Sequence, residues 1–392
     1  MIIGICGRSY PSQRMIIDKV GRAEYIDIKQ KNIILVYILL AIGKVFKKFR
    51  LNPVYAKYVH FYLDAYKNRR VALLHLFNRV CVNDYYNWIT TFEKTMPEYF
   101  YEESQQNLKK LKNQARFLLK DNCKYILAIS QWALDYNIWL LDQLFSKSEV
   151  DLIKPKMIVL YPPQRVLTTE EDIVKKFERV DEKELVFIYV GSQVKRKGGL
   201  SVLRAFKHIA KDYRFKLIFI GDLTNGYNNY YLSKEELEEC EQIIEQSTWI
   251  EYHSSLPNQK VLELMHDAHI GLLPTIGDTF GFSVLEMQAS GCPVVTTNRE
   301  AMPEINNSET GWIIDTNSIN VTHKDDYGNY SSEEIYKFMQ RIDEQLVKTL
   351  VNIFNNRTGI VKKAIASLHK IQNDNSPILY EEKLKQIYEK SI

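Results

Sequence analysis

Residues 271–312 bring together two carboxylates, a tight aromatic–glycine turn and a helix start. An apolar stretch runs into Pro274, and Asp278 stands on the loop that follows. Phe280-Gly281-Phe282 then turns the chain into a helix whose first turns present Glu286. Gly291-Cys292-Pro293 ends that helix, and the β-branched run Val294-Val295-Thr296-Thr297 reads as the next strand. A helix start offers unsatisfied backbone N–H groups that attract anionic oxygens, and carboxylates accept hydrogen bonds from hydroxyls. The pattern therefore suits a ligand carrying both phosphates and hydroxyls. A second anion-binding element lies upstream, Gly191-Ser192-Gln193-Val194-Lys195-Arg196-Lys197-Gly198-Gly199, with three cations between glycines. Alone, such a turn is as readily a solvated basic surface. Its position after an apolar strand and before a helix favours phosphate.

On these residues the chain resembles the retaining glycosyltransferases of family 4, enzymes of the GT-B fold that use nucleotide sugars. Their signature has two acidic residues separated by seven others, a Phe-Gly pair between them, a Gly-Pro-Val-Val step and a later Pro-Glu. The matching positions are Asp278, Phe280-Gly281, Glu286, Gly291, Pro293-Val294-Val295 and Pro303-Glu304, with Asp in place of the first Glu. The basic loop keeps Gly191 and Lys197-Gly198 but has Ser192 where Arg is usual, which removes a bidentate phosphate clamp. The resemblance implies that Glu286 accepts ribose hydroxyls and that Asp278, one methylene shorter than usual, approaches the donor sugar. It also implies that the N–H groups of Phe280, Gly281, Phe282 and Ser283 face phosphate or sugar oxygens. Gly191, Arg196, Lys197 and Gly198 would line the diphosphate, and Tyr252 the nucleotide base. Ser192 belongs to this loop by position, although its plain reading is a surface residue. Catalysis would rest on Asp278, Glu286 and Lys197, with the leaving diphosphate taking the acceptor proton and Lys197 stabilising it. Glu304 is either a neighbour of the sugar or a surface cap.

These residues need strands and helices to hold them. At 392 residues the chain exceeds one average core, so two domains are expected. Both halves alternate apolar strands with helices, the grammar of doubly wound α/β domains. The resemblance implies two Rossmann-like domains facing a central cleft. The expected division is 1–160, binding acceptor and completed by a helix at 377–392, and 161–376, binding the nucleotide sugar. A Pro-rich stretch at 150–165 reads as the linker. In the first half, helices are expected at 33–49, 54–67 and 102–119, with strands at 2–6, 71–77, 88–92 and 125–129. Arg8, His75 and Glu93 are the acceptor-side residues. His75 matches a family strand that ends in His. Glu93 either orients an acceptor as a base or pairs with Arg79.

Composition excludes several classes. A net charge of +4 is too small to argue for nucleic acid. Five scattered cysteines without a Cys-x-x-Cys suggest buried thiols in a reducing cytoplasm. The first residues lack the basic start and apolar core of a signal peptide. No cofactor is expected beyond the nucleotide-sugar substrate. No Asp-x-Asp occurs, so a metal bridge to the diphosphate is not indicated; His266 and His269, three apart on an expected helix, have a spacing that can hold metal but read as packing or surface residues. Residues 44–70 interleave Lys and Arg with Phe and Tyr, which suits either an anionic membrane surface or an ordinary basic outer face. The expected activity is metal-independent hexosyl transfer from a UDP- or GDP-sugar to a glycan or lipid-linked acceptor, in making a bacterial surface polysaccharide or glycolipid. The protein would be cytoplasmic or peripheral on the inner face of the plasma membrane. A non-catalytic GT-B-like partner or glycan-binding protein of a glycosyltransferase complex, and a sugar-nucleotide epimerase, are the alternatives.

Overall fold

The computed structural model describes residues 1–6, 20–21, 23–27, 70–81, 84–98, 108–178, 184–319 and 330–392. Arg8, the helices expected at 33–49 and 54–67, and the basic–aromatic residues 44–69 lie outside them. The chain divides into two compact units, residues 1–163 with 377–392, and residues 164–376.

The first unit is built on a parallel sheet of β1 (Ile2–Cys6), β2 (Glu24–Asp27), β3 (Leu73–Phe77), β4 (Trp88–Phe92), β5 (Cys123–Ala128) and β6 (Met157–Val159). Their order is β2-β1-β3-β4-β5-β6. β3 and β4 are buried along their whole length, as central strands covered on both faces must be. The described helices between strands are α1 (Leu108–Ala115), α2 (Gln131–Leu144) and α3 (Lys147–Ile153). Ser130 starts α2 by accepting the Ala133 N–H at 3.1 Å, and Ser146 with Glu149 forms a capping box on α3. Of the helix expected at 102–119, 108–115 is α-helix and 116–119 a 3-10 turn.

The linker expected at 150–165 contains the division between the units, at 163/164, but is shorter than expected. Residues 147–159 are α3, a 3-10 turn and β6, which pairs with β5. The buried apolar residues Ile153, Met157 and Leu160 dominate there over the prolines.

The second unit contains α4 (Glu170–Phe177), β7 (Leu185–Val190), α5 (Gly199–Ile209), β8 (Phe215–Ile220), α6 (Lys234–Gln246) and β9 (Ile250–His253). It continues with α7 (Asn258–Asp267), β10 (Ile270–Leu273), α8 (Phe282–Ala289), β11 (Val294–Thr297), α9 (Met302–Ile305) and β12 (Gly311–Ile314). Two long helices, α10 (Ser332–Asn355) and α11 (Gly359–Asp374), complete it. The parallel strands are ordered β12-β11-β10-β7-β8-β9. Chain order therefore reverses between β7 and β10, and in open α/β sheets ligands bind outside the carboxyl ends of the strands at such a point. α10 covers the sheet with a stripe of Ile335, Phe338, Ile342, Leu346, Leu350 and Ile353, spaced three or four apart.

The last helix, α12 (Pro377–Ser391), belongs to the first unit. Its Tyr380, Leu384, Ile387 and Tyr388 lie on one face and enter the core with Ile3, Ile5, Leu73, Ile89 and Leu127. His75 is part of this seam. Its Nδ1 is 2.8 Å from the Tyr388 hydroxyl and its Nε2 is 2.8 Å from Thr91 Oγ1. The ring is wholly buried, and that burial lowers its pKa to about 3. The acceptor-side expectation for His75 is corrected accordingly: it is a neutral core residue with both nitrogens engaged.

Candidate functional site

The loops that leave β7 and β10 stand side by side at the switch point of the second unit. Residues 192–198 curl tightly, with Lys197 N donating to Gln193 O at 2.9 Å, Gly198 N to Lys195 O at 3.2 Å and Gly199 N to Val194 O at 2.7 Å. These three N–H groups are thus satisfied within the loop. Gly198 has φ +76°, and a Cβ there would meet Pro274 O at 2.1 Å. Only glycine allows so close an approach. The loop after β10 is sewn to its neighbour: Ile276 N donates to Arg196 O at 2.9 Å, and Thr275 Oγ1 reaches the same carbonyl at 3.1 Å.

At the join, Lys197 Nζ donates to Asp278 Oδ2, and both side chains are nearly buried. Asp278 Oδ1 accepts from Phe280 N at 3.3 Å and Gly281 N at 3.1 Å. Burial opposes ionisation of Asp278, but Lys197, Arg196 and these donors outweigh it and hold the carboxyl below its ordinary value. Burial pulls Lys197 below the ordinary lysine value while Asp278 resists. Within this buried pair Asp278 favours the charged lysine and Lys197 favours the charged carboxylate.

This corrects two expectations. The N–H groups of Phe280 and Gly281 are taken by Asp278, so Phe282 and Ser283 carry the first N–H groups of α8 itself. Asp278 itself faces inward. One methylene shorter than Glu, it caps the turn it stands on. Arg196 also turns inward, its Nη1 donating to Gly277 O at 2.6 Å, and Lys195 pairs with Glu236 at 2.6 Å. Ser192 is exposed. Gly191 admits no Cβ, which would lie 2.6 Å from the Tyr189 hydroxyl and 2.9 Å from Lys197 Cβ.

Glu286 lies one turn into α8, partly buried, with Asn258 Nδ2 at 3.5 Å from its Oε1. Burial pushes its carboxyl above the ordinary value, opposed by Asn258. Tyr252 stands on the edge strand β9 with its ring 6.2 Å from Phe219. Glu304 sits in α9, half-buried. In the first unit Glu93 follows β4, and its N–H donates to Asn78 Oδ1 at 3.1 Å. His266 and His269 do not share a helix: α7 ends at Asp267, and His269 Nδ1 instead accepts the Val186 N–H at 3.0 Å. Among the described residues no three His, Cys, Asp or Glu side chains gather as metal ligands.

Sequence reasoning missed Glu300. Its backbone is left-handed, with φ 48°. A Cβ on Gly277 would meet the Glu300 carboxylate at 2.9 Å, so this side chain lies across the β10 loop. Nothing in its local sequence singles it out, because the contact spans residues of two different loops.

Comparison with solved structures gives the architecture its name. A glycosyltransferase from Rickettsia africae aligns over 99% of this chain and 97% of its own, with TM-score 0.60 and 16% identity. Anabaena Alr3699/HepE, solved in complex with UDP and glucose, aligns over 98% of both chains with TM-score 0.62 and 14% identity. The chain has the GT-B fold. Within this GT-B chain, residues 170–325 match the family model of the glycosyl transferases group 1. That segment contains β7, β10, α8 and both loops of the site. Among curated relatives, the O-antigen chain mannosyltransferase B of Escherichia coli is 24% identical over 251 residues, covering 59% of this chain and 58% of the relative. The capsular polysaccharide biosynthesis glycosyltransferase CapM of Staphylococcus aureus is 29% identical over 150 residues, 36% of this chain and 35% of the relative. The matched regions thus span little more than half of one relative and about a third of the other.

Proposed function

We propose that this chain is a retaining glycosyltransferase of family 4 that moves a hexosyl-type sugar from a UDP- or GDP-sugar to a glycan or lipid-linked acceptor, without a metal. The observation that carries this reading is the meeting of Lys197, Asp278 and the start of α8 at the switch point, inside the segment matching group 1 glycosyltransferases. In this reading Glu286 accepts hydrogen bonds from ribose hydroxyls, each worth about 1.5–3 kcal/mol when charge-assisted. Tyr252 borders the base. Lys197 and the N–H groups of Phe282 and Ser283 stabilise the charge that grows on the departing diphosphate. The bond from the anomeric carbon to the diphosphate oxygen breaks, the acceptor oxygen bonds to the same face, and its proton passes to the departing oxygen.

The first unit is assigned the acceptor, with Glu93 at the end of β4 as its described candidate and Arg8 as one beyond the described residues. Placement on the cytoplasmic side, against an anionic membrane surface through residues 44–70, accompanies this reading. Among the described residues no helix is long and apolar enough to cross a membrane. The role in bacterial surface polysaccharide or glycolipid synthesis is suggested by the relatives' names. The test is a panel of UDP- and GDP-sugars scored by thermal shift, followed by NMR of the product's anomeric configuration. A ligand at about 100 times its dissociation constant stabilises by about 2.7 kcal/mol. Inversion at the anomeric centre would contradict retention.

One observation favours a non-catalytic GT-B-like partner instead: Lys197 is already neutralised by Asp278, and the exposed Ser192 supplies no guanidinium in its place. That reading predicts no shift with any member of the panel.

A further inference from the structure

We propose that Glu300 is a sugar-recognising residue of the donor site, accepting hydrogen bonds from hydroxyls of the transferred sugar and so selecting which sugar is taken. This rests on the donor-site reading above. Three observations lead to it. First, Glu300 holds a left-handed backbone, φ 48°, that an unbranched L-residue adopts only at a cost of about 1–2 kcal/mol. Such strain persists where the surroundings over-determine it, and it clusters at ligand clamps. Second, the strain aims the side chain. The carboxylate lies across Gly277, where a Cβ would come within 2.9 Å of both its Cδ and Oε1. The next residue ties the segment down, Ala301 N donating to Asp278 O at 3.2 Å. Third, the expected sugar carboxylate, Asp278, is committed to Lys197, Phe280 and Gly281.

Glu300 is only half-buried. A carboxylate offers about four acceptor positions, enough to serve neighbouring hydroxyls in addition to protein contacts. Its negative charge disfavours the diphosphate and suits a neutral polyol, which assigns it to the sugar end of the ligand. Its charge acts on Arg196, Lys197, Tyr227, Tyr230 and Tyr330, and the Tyr227 ring is partly exposed.

The experiment measures affinities of UDP, GDP and the panel of UDP- and GDP-sugars for the full-length wild-type chain, Glu300→Gln and Glu300→Gly. Gln keeps size and loses charge; Gly relieves the left-handed strain and removes the side chain. The expected result is a loss of about tenfold or more for the preferred nucleotide sugar in both variants, the scale of one charge-assisted hydrogen bond. The bare nucleoside diphosphate should bind within about twofold of wild type, well inside that scale. Melting of both variants checks that they remain folded, and the selective loss of the nucleotide sugar over the bare nucleotide is the outcome that a purely structural role for the side chain would not give. Equal weakening of nucleotide and nucleotide sugar, or no weakening of either, overturns the proposal while leaving the donor site standing. Failure of the wild type to bind any nucleotide overturns the donor-site reading, and this inference with it.

Discussion

Asp278 ends between an ammonium and two backbone donors, so its titration reports on the centre of the site. Its carboxyl is held below the ordinary value of 3.8, and the folded chain therefore binds fewer protons here than the unfolded chain. The stabilisation is complete above 3.8 and is lost as pH falls through the folded value. Asp278→Asn should flatten this acid limb in denaturant melts run across an acid pH series. It should also cost about 3–5 kcal/mol near neutrality, because Lys197 is left buried without its counter-charge. An unchanged acid limb would place the proton linkage elsewhere. Glu286 has the opposite sign. Burial raises its carboxyl above the ordinary 4.5, so a ligand that needs the carboxylate should bind progressively more weakly as pH falls toward that raised value. Nucleotide affinity measured against pH checks this, and a flat profile for wild type would remove Glu286 from ribose binding.

The strand–loop–helix elements of the second unit were legible in the sequence because apolar strands, glycines and the Pro293 stop each have a local cause. Loop chemistry was less so. Three cations in sequence looked equivalent, yet Lys195 turns to Glu236, Arg196 to Gly277 O and Lys197 to Asp278. Partners lying 41 or 81 positions away decide those directions, and spacing along the chain carries no trace of them. The same limit hid Glu300, whose φ is set by the packing of two loops. His75 misled because a histidine near a strand end reads alike whether it faces a ligand or the hydroxyl of a distant Tyr388. At this scale the docking of the two loops is testable. Gly198→Ala puts a Cβ 2.1 Å from Pro274 O at φ +76°. It should cost about 1–3 kcal/mol or more and abolish nucleotide binding. Gly359→Ala, with nothing within 4 Å of the added Cβ, should be neutral or slightly stabilising in thermal melts. Equal effects would mean that the close approach of the loops does not matter.

Across the molecule, the chain leaves the first unit at residue 163 and returns to it at 377, so that unit is finished only by the last helix. α12 supplies Tyr380, Leu384, Ile387 and Tyr388 to a core whose other members come from residues 3–160. Fully burying each such side chain is worth about 1.5–3 kcal/mol, comparable in sum with the stability of an ordinary domain. Ending the chain at residue 376 should therefore unfold the first unit while amide exchange in β7, β8 and β10 stays protected. Retained protection in β3 and β4 would show that the helix is dispensable. The central claim, that loops of the second unit hold a nucleotide sugar, is tested most directly by calorimetric titration of UDP and GDP into wild type and Glu286→Ala. Saturable binding of one of the two nucleotides is expected, weakened by about tenfold or more in a variant that remains folded. Absence of binding in wild type, or equal affinity in the variant, would contradict it.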